Sequence, residues 1–231
     1  SSAASDVYKR QIQSIQKRDH NDAHRIIEEC MLAANTCAAD FISRKSLSGL
    51  FRVHGAPSPD RLETLRAELS FFGVTLEGGA KPSSKDFDRA LSAVPEGPRR
   101  EVVQLAMLRT MQQAVYSPVN IGHYGLNYTA YTHFTSPIRR YPDLLVHRTI
   151  CAGSAKQKYT PKLVAETGWL RLSRSARNVE KTLEEIRAHS LTPEKGDFPV
   201  WYKLGMVCSS AERRADAVSY THLTLPTNSL V

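Results

Sequence analysis

YTHFTSPIRRYPDLLVHRTI, residues 131–150, joins a helix-start signal to a dense set of cationic and aromatic side chains. Ser136 followed by Pro137 predicts entry into a helix, where backbone N–H groups can face an anion. Arg139 and Arg140 add guanidinium forks whose planar geometry suits bidentate phosphate contacts. Tyr131, His133, Phe134 and Tyr141 interleave aromatic faces on which unpaired bases can stack. Asp143 follows Arg139 by four residues, which places both on one helix face, and His147 lies one turn further on. This pattern reads either as a phosphate-and-base site or as a salt-bridged helix start beside a packed aromatic cluster.

Working outward, the upstream chain is mostly helical in its periodicity. Residues 24–42 repeat apolar or small side chains at Ile27, Cys30/Met31, Ala34, Cys37/Ala38 and Phe41, with Asn21 or Asp22 placed to cap the helix. GLFRVH, residues 49–54, reads as a strand. SPDRLETLRAELSFFG then has Ser58 as cap, Pro59 at the first helical position, a stripe of Leu62, Leu65, Leu69 and Phe72, and Gly73 as stop. A Gly/Pro/Ser-rich loop over 74–84 leads to a short helix, KDFDRALSAV, ended by Pro95. A longer helix is predicted from Pro98 to about Tyr116, broken by Ser117-Pro118. Residues 119–135 read as loop with short strands, and 153–170 as irregular. Helices are predicted over 176–189 and from near Trp201. The fold class is α/β in the mixed α+β sense, and helix-rich.

Composition narrows the partners. The 231 residues carry a net charge of +8 and a pI near 9.4, which favours a polyanion. A merely basic surface accounts for the charge equally well. No apolar run approaches the roughly 20 residues that cross a bilayer, so no membrane association is expected. Cys30, Cys37, Cys151 and Cys208 contain no C-x-x-C pair; reduced thiols on buried helix faces fit a cytoplasmic protein. Residues 1–11 and 218–231 lack a periodic core face and read as non-native tails around a single unit over 12–217.

HFTSPIRRYPDLLVHR (133–148) resembles the signature of the RNB catalytic domain shared by ribonuclease II, ribonuclease R and the eukaryotic exosome nuclease. NDAHRIIEECMLAAN (21–35), GLFRVHGAPSPDRLETLRAELSFFGV (49–74), GHYGL (122–126) and CSSAERRADA (208–217) are similar to further blocks of that family, in the same order. Ribonuclease R is the nearest subgroup, and 153–200 looks like a family-variable segment. The resemblance implies the C-terminal portion of an RNB-type catalytic domain, taken from a 3′-to-5′ exoribonuclease that shortens single-stranded RNA processively to nucleoside 5′-monophosphates. It also implies Mg2+ in the intact enzyme, with in-line attack by metal-activated water.

Carried over by position, Arg139 matches the family's catalytic arginine, with Arg140 as second candidate. Glu29 matches an acidic residue near the RNA 3′ end, with Glu28 as the alternative, and Glu212 matches a carboxylate near the terminal nucleotide. Arg52, His54, His123, Tyr131, His133 and Ser136 complete the expected RNA contacts. The family's aspartate-rich metal block belongs upstream of NDAH, so the chain is expected to be an internal fragment without metal ligands. Lys85-Asp86-Phe87-Asp88-Arg89-Ala90 is only superficially similar to that block: it lies downstream, and arginine stands where the last aspartate belongs. The rhythm of OB-type RNA-binding barrels is likewise absent from the sequence. Two behaviours remain open for this polypeptide: part of a nuclease, or a basic single-stranded RNA-binding fragment without turnover. A structural helical adaptor would leave SPIRRY unexplained.

Overall fold

A computed structural model describes residues 3–8, 11–17, 21–162, 174–188 and 196–224. Two antiparallel strands, β1 (Ala3–Tyr8) and β2 (Gln11–Lys17), form a hairpin that the sequence reading did not assign. Then follow α1 (Asp22–Arg44), β3 (Phe51–Val53), α2 (Pro59–Phe71), α3 (Ser84–Ser92), α4 (Pro98–Thr110) and β4 (Val115–Ser117). A 3-10 turn at Tyr124–Leu126 precedes α5 (Tyr141–Ser154), α6 (Arg174–Ala188) and α7 (Phe198–Thr224).

Local chemistry sets most helix starts. Asn21 caps α1 by accepting the His24 N–H at 3.0 Å, while the His24 ring accepts the Asn21 N–H. Pro59 and Pro98 open α2 and α4 with φ already set for a helix. Ser58 sits at the α2 cap position without a side-chain cap bond, and Gly73 ends the segment at a φ of +67°.

The main core wraps the β3–β4 pair, whose register joins Phe51 to Ser117 and Val53 to Val115. Ala38, Ala39 and Ile42 of α1, Val146 of α5, and Val179 and Leu183 of α6 cover it. Leu50, Tyr116, Leu145, Trp201 and Leu204 continue the packing beneath α7. Gly205 is where α7 comes closest to β4: a Cβ there would stand 2.5 Å from the Tyr116 carbonyl oxygen. One turn on, Ser209 Oγ accepts the Tyr116 N–H at 2.8 Å. A satellite core joins Leu62, Leu65 and Leu69 of α2, Phe87 of α3, and Val103 and Met107 of α4.

Three expectations need correction. The helix predicted to about Tyr116 ends at Thr110, because Val115–Ser117 pairs with β3 and is buried on both sides. The helix expected at Ser136-Pro137 starts at Tyr141, with Arg140 at its cap position; residues 137–139 form a turn instead. Cys30, Cys37 and Cys151 are exposed; only Cys208 is buried. The buried stripe of α1 runs through Asn35, Ala38, Ala39 and Ile42, and at about 100° per residue both Cys30 and Cys37 fall well off it. Of the irregular segment over 153–170, residues 163–170 lie outside the described residues, as do 225–231 of the C-terminal tail. Among the described residues no helix is long and apolar enough to cross a membrane.

Candidate nucleic-acid interface

Strand β3 and helix α7 bring together two candidates 160 positions apart: Arg52 Nη1 lies 2.6 Å from Glu212 Oε2. Glu212 reaches this spot because Gly205 and Ser209, on the same face of α7, are pinned to β4. The Arg52 guanidinium also lies 4.7 Å from the centroid of the Tyr116 ring. Tyr116 in turn bonds through its hydroxyl to His133 Nδ1 at 2.7 Å, and burial holds its phenol well above the ordinary value.

From His133 a continuous run of rings extends through the wall of the site, with Tyr131 and His54 buried and His123, Tyr128 and His133 partly exposed. Tyr131 meets His133 edge-on at 5.8 Å and His123 edge-on at 5.4 Å, and stacks on Tyr128 at 5.8 Å. His123 and His54 lie 5.0 Å apart. His54 Nδ1 accepts the Gly125 N–H, so Nε2 carries the proton and donates to the Gln112 carbonyl at 2.6 Å. Both ring nitrogens are thus committed and the imidazole is neutral. The His54–His123 edge opens into a cleft of about 770 Å³, bordered by Pro57, Pro82, Tyr124 and Tyr128.

Asn35, buried on α1, fixes the loop that leads into the signature segment. Its Oδ1 accepts the N–H groups of Phe134 and Thr135, and its Nδ2 donates to the Tyr131 hydroxyl at 3.0 Å. His147 donates from Nε2 to the Phe134 carbonyl and stacks on that ring at 4.0 Å. Asp143, 0% exposed, accepts the Ser136 N–H at 2.8 Å and both the Nε and Nη2 of Arg140, at 2.9 and 2.8 Å.

The expected roles within this segment therefore divide differently. The Ser136 N–H is not open to an anion; Asp143 holds it. Asp143 pairs with Arg140 rather than with Arg139, because the turn carries Arg139 off the helix. Arg139 is exposed at the tip of that turn beside the fully exposed Ile138, and makes no side-chain bond among the described residues. Six candidates (Arg52, His54, His123, Tyr131, His133 and Glu212) form one connected cluster. Glu29 does not join it. Glu28 lies seven residues, or close to two turns, from Asn35 and shares its face, whereas Glu29 is turned away. Sequence reasoning missed Asn35 and Tyr116. A polar residue on the apolar stripe of α1 was the available signal for the first, and the second gave none.

Burial, then the Arg140 and Arg52 charges, pushes the His133 imidazole down to about 3. Burial, then His54 and Arg52, lowers His123 to about 4. Unfolded imidazoles titrate near 6.5, so between these values the unfolded chain binds more protons than the folded one. The stability contributed by the neutral rings is fully present above pH ~6.5 and is lost as pH falls. The thermal midpoint is therefore expected to drop between about pH 6.5 and 5, before most carboxylates titrate, and His133→Gln is expected to flatten that slope. A midpoint constant across the window would contradict the neutral assignment.

Residues 2–156 match the RNB domain, and the chain belongs to that family. It is similar to ribonuclease R of Escherichia coli (strain K12), 40% identical over 207 residues, covering 90% of this chain and 22% of that protein. The ribonuclease R of Buchnera aphidicola subsp. Acyrthosiphon pisum is 46% identical over 205 residues, covering 89% and 25%. The chain thus spans about a quarter or less of the length of these curated relatives. Among solved structures, Mycoplasma genitalium RNase R in complex with ribose methylated single-stranded RNA shares the fold, with a TM-score of 0.62, 22% identity, and coverage of 96% of this chain and 32% of that one. So does yeast Ssd1, described as a pseudonuclease, with a TM-score of 0.55, 21% identity, and coverage of 83% and 22%.

Proposed function

We propose that the chain is part of a 3′-to-5′ exoribonuclease that hydrolyses single-stranded RNA processively to nucleoside 5′-monophosphates, in the cytoplasm. The observation that carries this reading is the exposed Arg139 at the tip of a turn that Asp143 and Arg140 brace from within. Its guanidinium stabilises charge on the scissile phosphate, where a preorganised donor has its largest effect. His123 and His133, both partly exposed, supply neutral rings for unpaired bases, the buried Tyr131 and His54 pack behind them, and Arg52 supplies positive charge held in place by Glu212. Glu28 or Glu29 contacts the RNA near its 3′ end, and Arg140 serves the site by fixing the turn.

RNB exoribonucleases are generally metal-dependent, and Mg2+ is the ion proposed for the intact enzyme. The described residues do not fit a resident metal. No group of three or more His, Cys, Asp or Glu side chains among them converges as a ligand set. Asp86 is committed to α3, accepting the Ser83 N–H and hydroxyl at 2.6 and 2.7 Å and pairing with Arg89 at 2.8 Å. Ser83 is also the main reason its carboxyl titrates below the ordinary value. No catalytic step is therefore assigned to these groups. The second reading, for the 231-residue polypeptide itself, is a basic single-stranded RNA-binding segment without turnover, and the net charge of +8 is what supports it.

Fluorescence anisotropy with a labelled single-stranded oligoribonucleotide across a salt series tests both readings. Affinity should fall with a log–log slope of about −0.7 per phosphate contact. The same protein, incubated with magnesium and 3′-labelled RNA, is expected to release no monophosphates. Salt-independent binding would remove the phosphate-tracking surface, and turnover lost on Arg139→Ala would place a complete active site in this chain.

A further inference from the structure

Behind the candidate interface lies a second concave site that the RNB reading does not use. A cavity of about 700 Å³ opens between the C-terminal end of α4, helix α6 and helix α7, with the start of α2 at its rim. Arg61, Arg109, Lys181 and Arg213 line it, and Glu185 is the one carboxylate among its lining residues. Lys181 lies 4.0 Å from Glu185, and Arg61 makes a single long bond of 3.4 Å to the Met111 carbonyl. Arg109 makes no side-chain bond among the described residues. Arg213 is half-buried, and its Nε is closed off from solvent with no hydrogen-bond partner among the described residues. The adjacent carboxylate, Glu212, is engaged by Arg52 instead.

Four cations face one concave space against a single lining carboxylate, Glu185, and this excess of like charge raises the local potential for an anion. A guanidinium with an unanswered N–H in a partly desolvated wall points the same way, since unpaired buried donors are costly. The volume falls within the range of small-molecule sites, well beyond what a bare phosphate needs. Gln112 and Asn178 add amide donors and acceptors on the wall, and Leu108 and Met111 give it apolar surface.

We propose that this cavity binds a nucleotide-sized phosphate monoester. Arg109, Lys181 and Arg213 hold the phosphate, and the amides and apolar wall receive the remainder. The cations come from four separate helices, α2, α4, α6 and α7, to one concave space, which favours a compact dianion over a polymer backbone. The proposal does not depend on whether the chain cleaves RNA. Gln112 links the two sites: its carbonyl is the acceptor for His54 Nε2, and the residue also lines the cavity.

Isothermal titration of the 231-residue protein with AMP, inorganic phosphate, adenosine and a short single-stranded oligoribonucleotide tests it. AMP is expected to bind and inorganic phosphate to compete with it more weakly, while adenosine gives no measurable binding. Arg109 and Lys181 are both exposed, so Arg109→Ala/Lys181→Ala should fold as the parent does and weaken AMP by at least about tenfold per lost charge-assisted contact. Arg109→Lys should retain most of the affinity if charge alone is needed, and the oligoribonucleotide's affinity should change little in the double variant. AMP binding that persists in the double variant, adenosine binding as well as AMP, or binding of the oligoribonucleotide alone would each overturn the assignment. The first two would remove phosphate recognition from this cavity, and the third would make it an extension of a strand-binding surface.

Discussion

Arg139→Ala, introduced into a full-length protein that carries this segment, is expected to slow single-turnover RNA cleavage by about 100- to 1,000-fold. RNA affinity should change far less. The residue is exposed at the end of a turn whose base is fixed by three hydrogen bonds to Asp143, so its guanidinium is presented without internal partners among the described residues. One phosphate contact is worth about 1–3 kcal/mol of binding at most, and the other proposed contacts, Arg52 among them, are left unchanged. A donor aimed at charge that develops only in the transition state acts differently: its loss appears in the chemical step. Lysine at 139 should restore part of the rate, since a point charge cannot reproduce a planar fork. Single-turnover rate and equilibrium affinity on the same RNA separate the two effects. Equal losses in both, or full rescue by lysine, would make Arg139 a backbone clamp.

Much of this arrangement was legible in the chain, and the misreadings share a physical cause. Helices α1, α2 and α3 carry their own punctuation, Asn21 before the first, Pro59 and Gly73 around the second and Pro95 after the third, so local signals sufficed. The end of α4 did not. Helical periodicity continues through Ala114, and only pairing with distant β3 turns Val115–Ser117 into a strand. The start of α5 failed for a related reason. Ser136-Pro137 is a sound helix-start signal, yet the buried Asp143 draws the Ser136 N–H inward and turns the chain before the helix begins. Arg52, His54, His123, Tyr131, His133 and Glu212 stand as separate candidates in the sequence, and their meeting in one cluster is not legible from spacing along the chain. Asn35 and Tyr116, which hold that cluster in shape, stayed hidden because an amide in a helix and a tyrosine in an apparent helix end announce no chemistry. Helix phase, visible only once Asn35 was located, favours Glu28 over Glu29 as the acid facing the interface.

Asp143→Ala is expected to cost the folded chain about 3–5 kcal/mol, a large share of the roughly 5–15 kcal/mol by which domains are stable. The carboxylate is 0% exposed and its partner Arg140 only 22% exposed, so water cannot replace what is removed. Alanine leaves the guanidinium with an uncompensated charge and the Ser136 N–H without an acceptor, and each carries its own desolvation penalty. Asp143→Asn keeps the shape and one acceptor oxygen but loses the charge and the bidentate clamp, so it should fall between alanine and wild type. Arg140→Ala should also destabilise, through the stranded carboxylate. The double variant Asp143→Ala/Arg140→Ala should be less unstable than the two single losses added together, because neither charge is then left alone. Urea denaturation followed by far-ultraviolet circular dichroism, with the four proteins compared at constant slope, measures this coupling. Strict additivity, or a loss below about 1 kcal/mol for Asp143→Ala, would mean that the pair is solvated as an ordinary surface ion pair. The turn presenting Arg139 would then need another source of rigidity, and the expected separation between its effects on rate and on affinity would weaken with it.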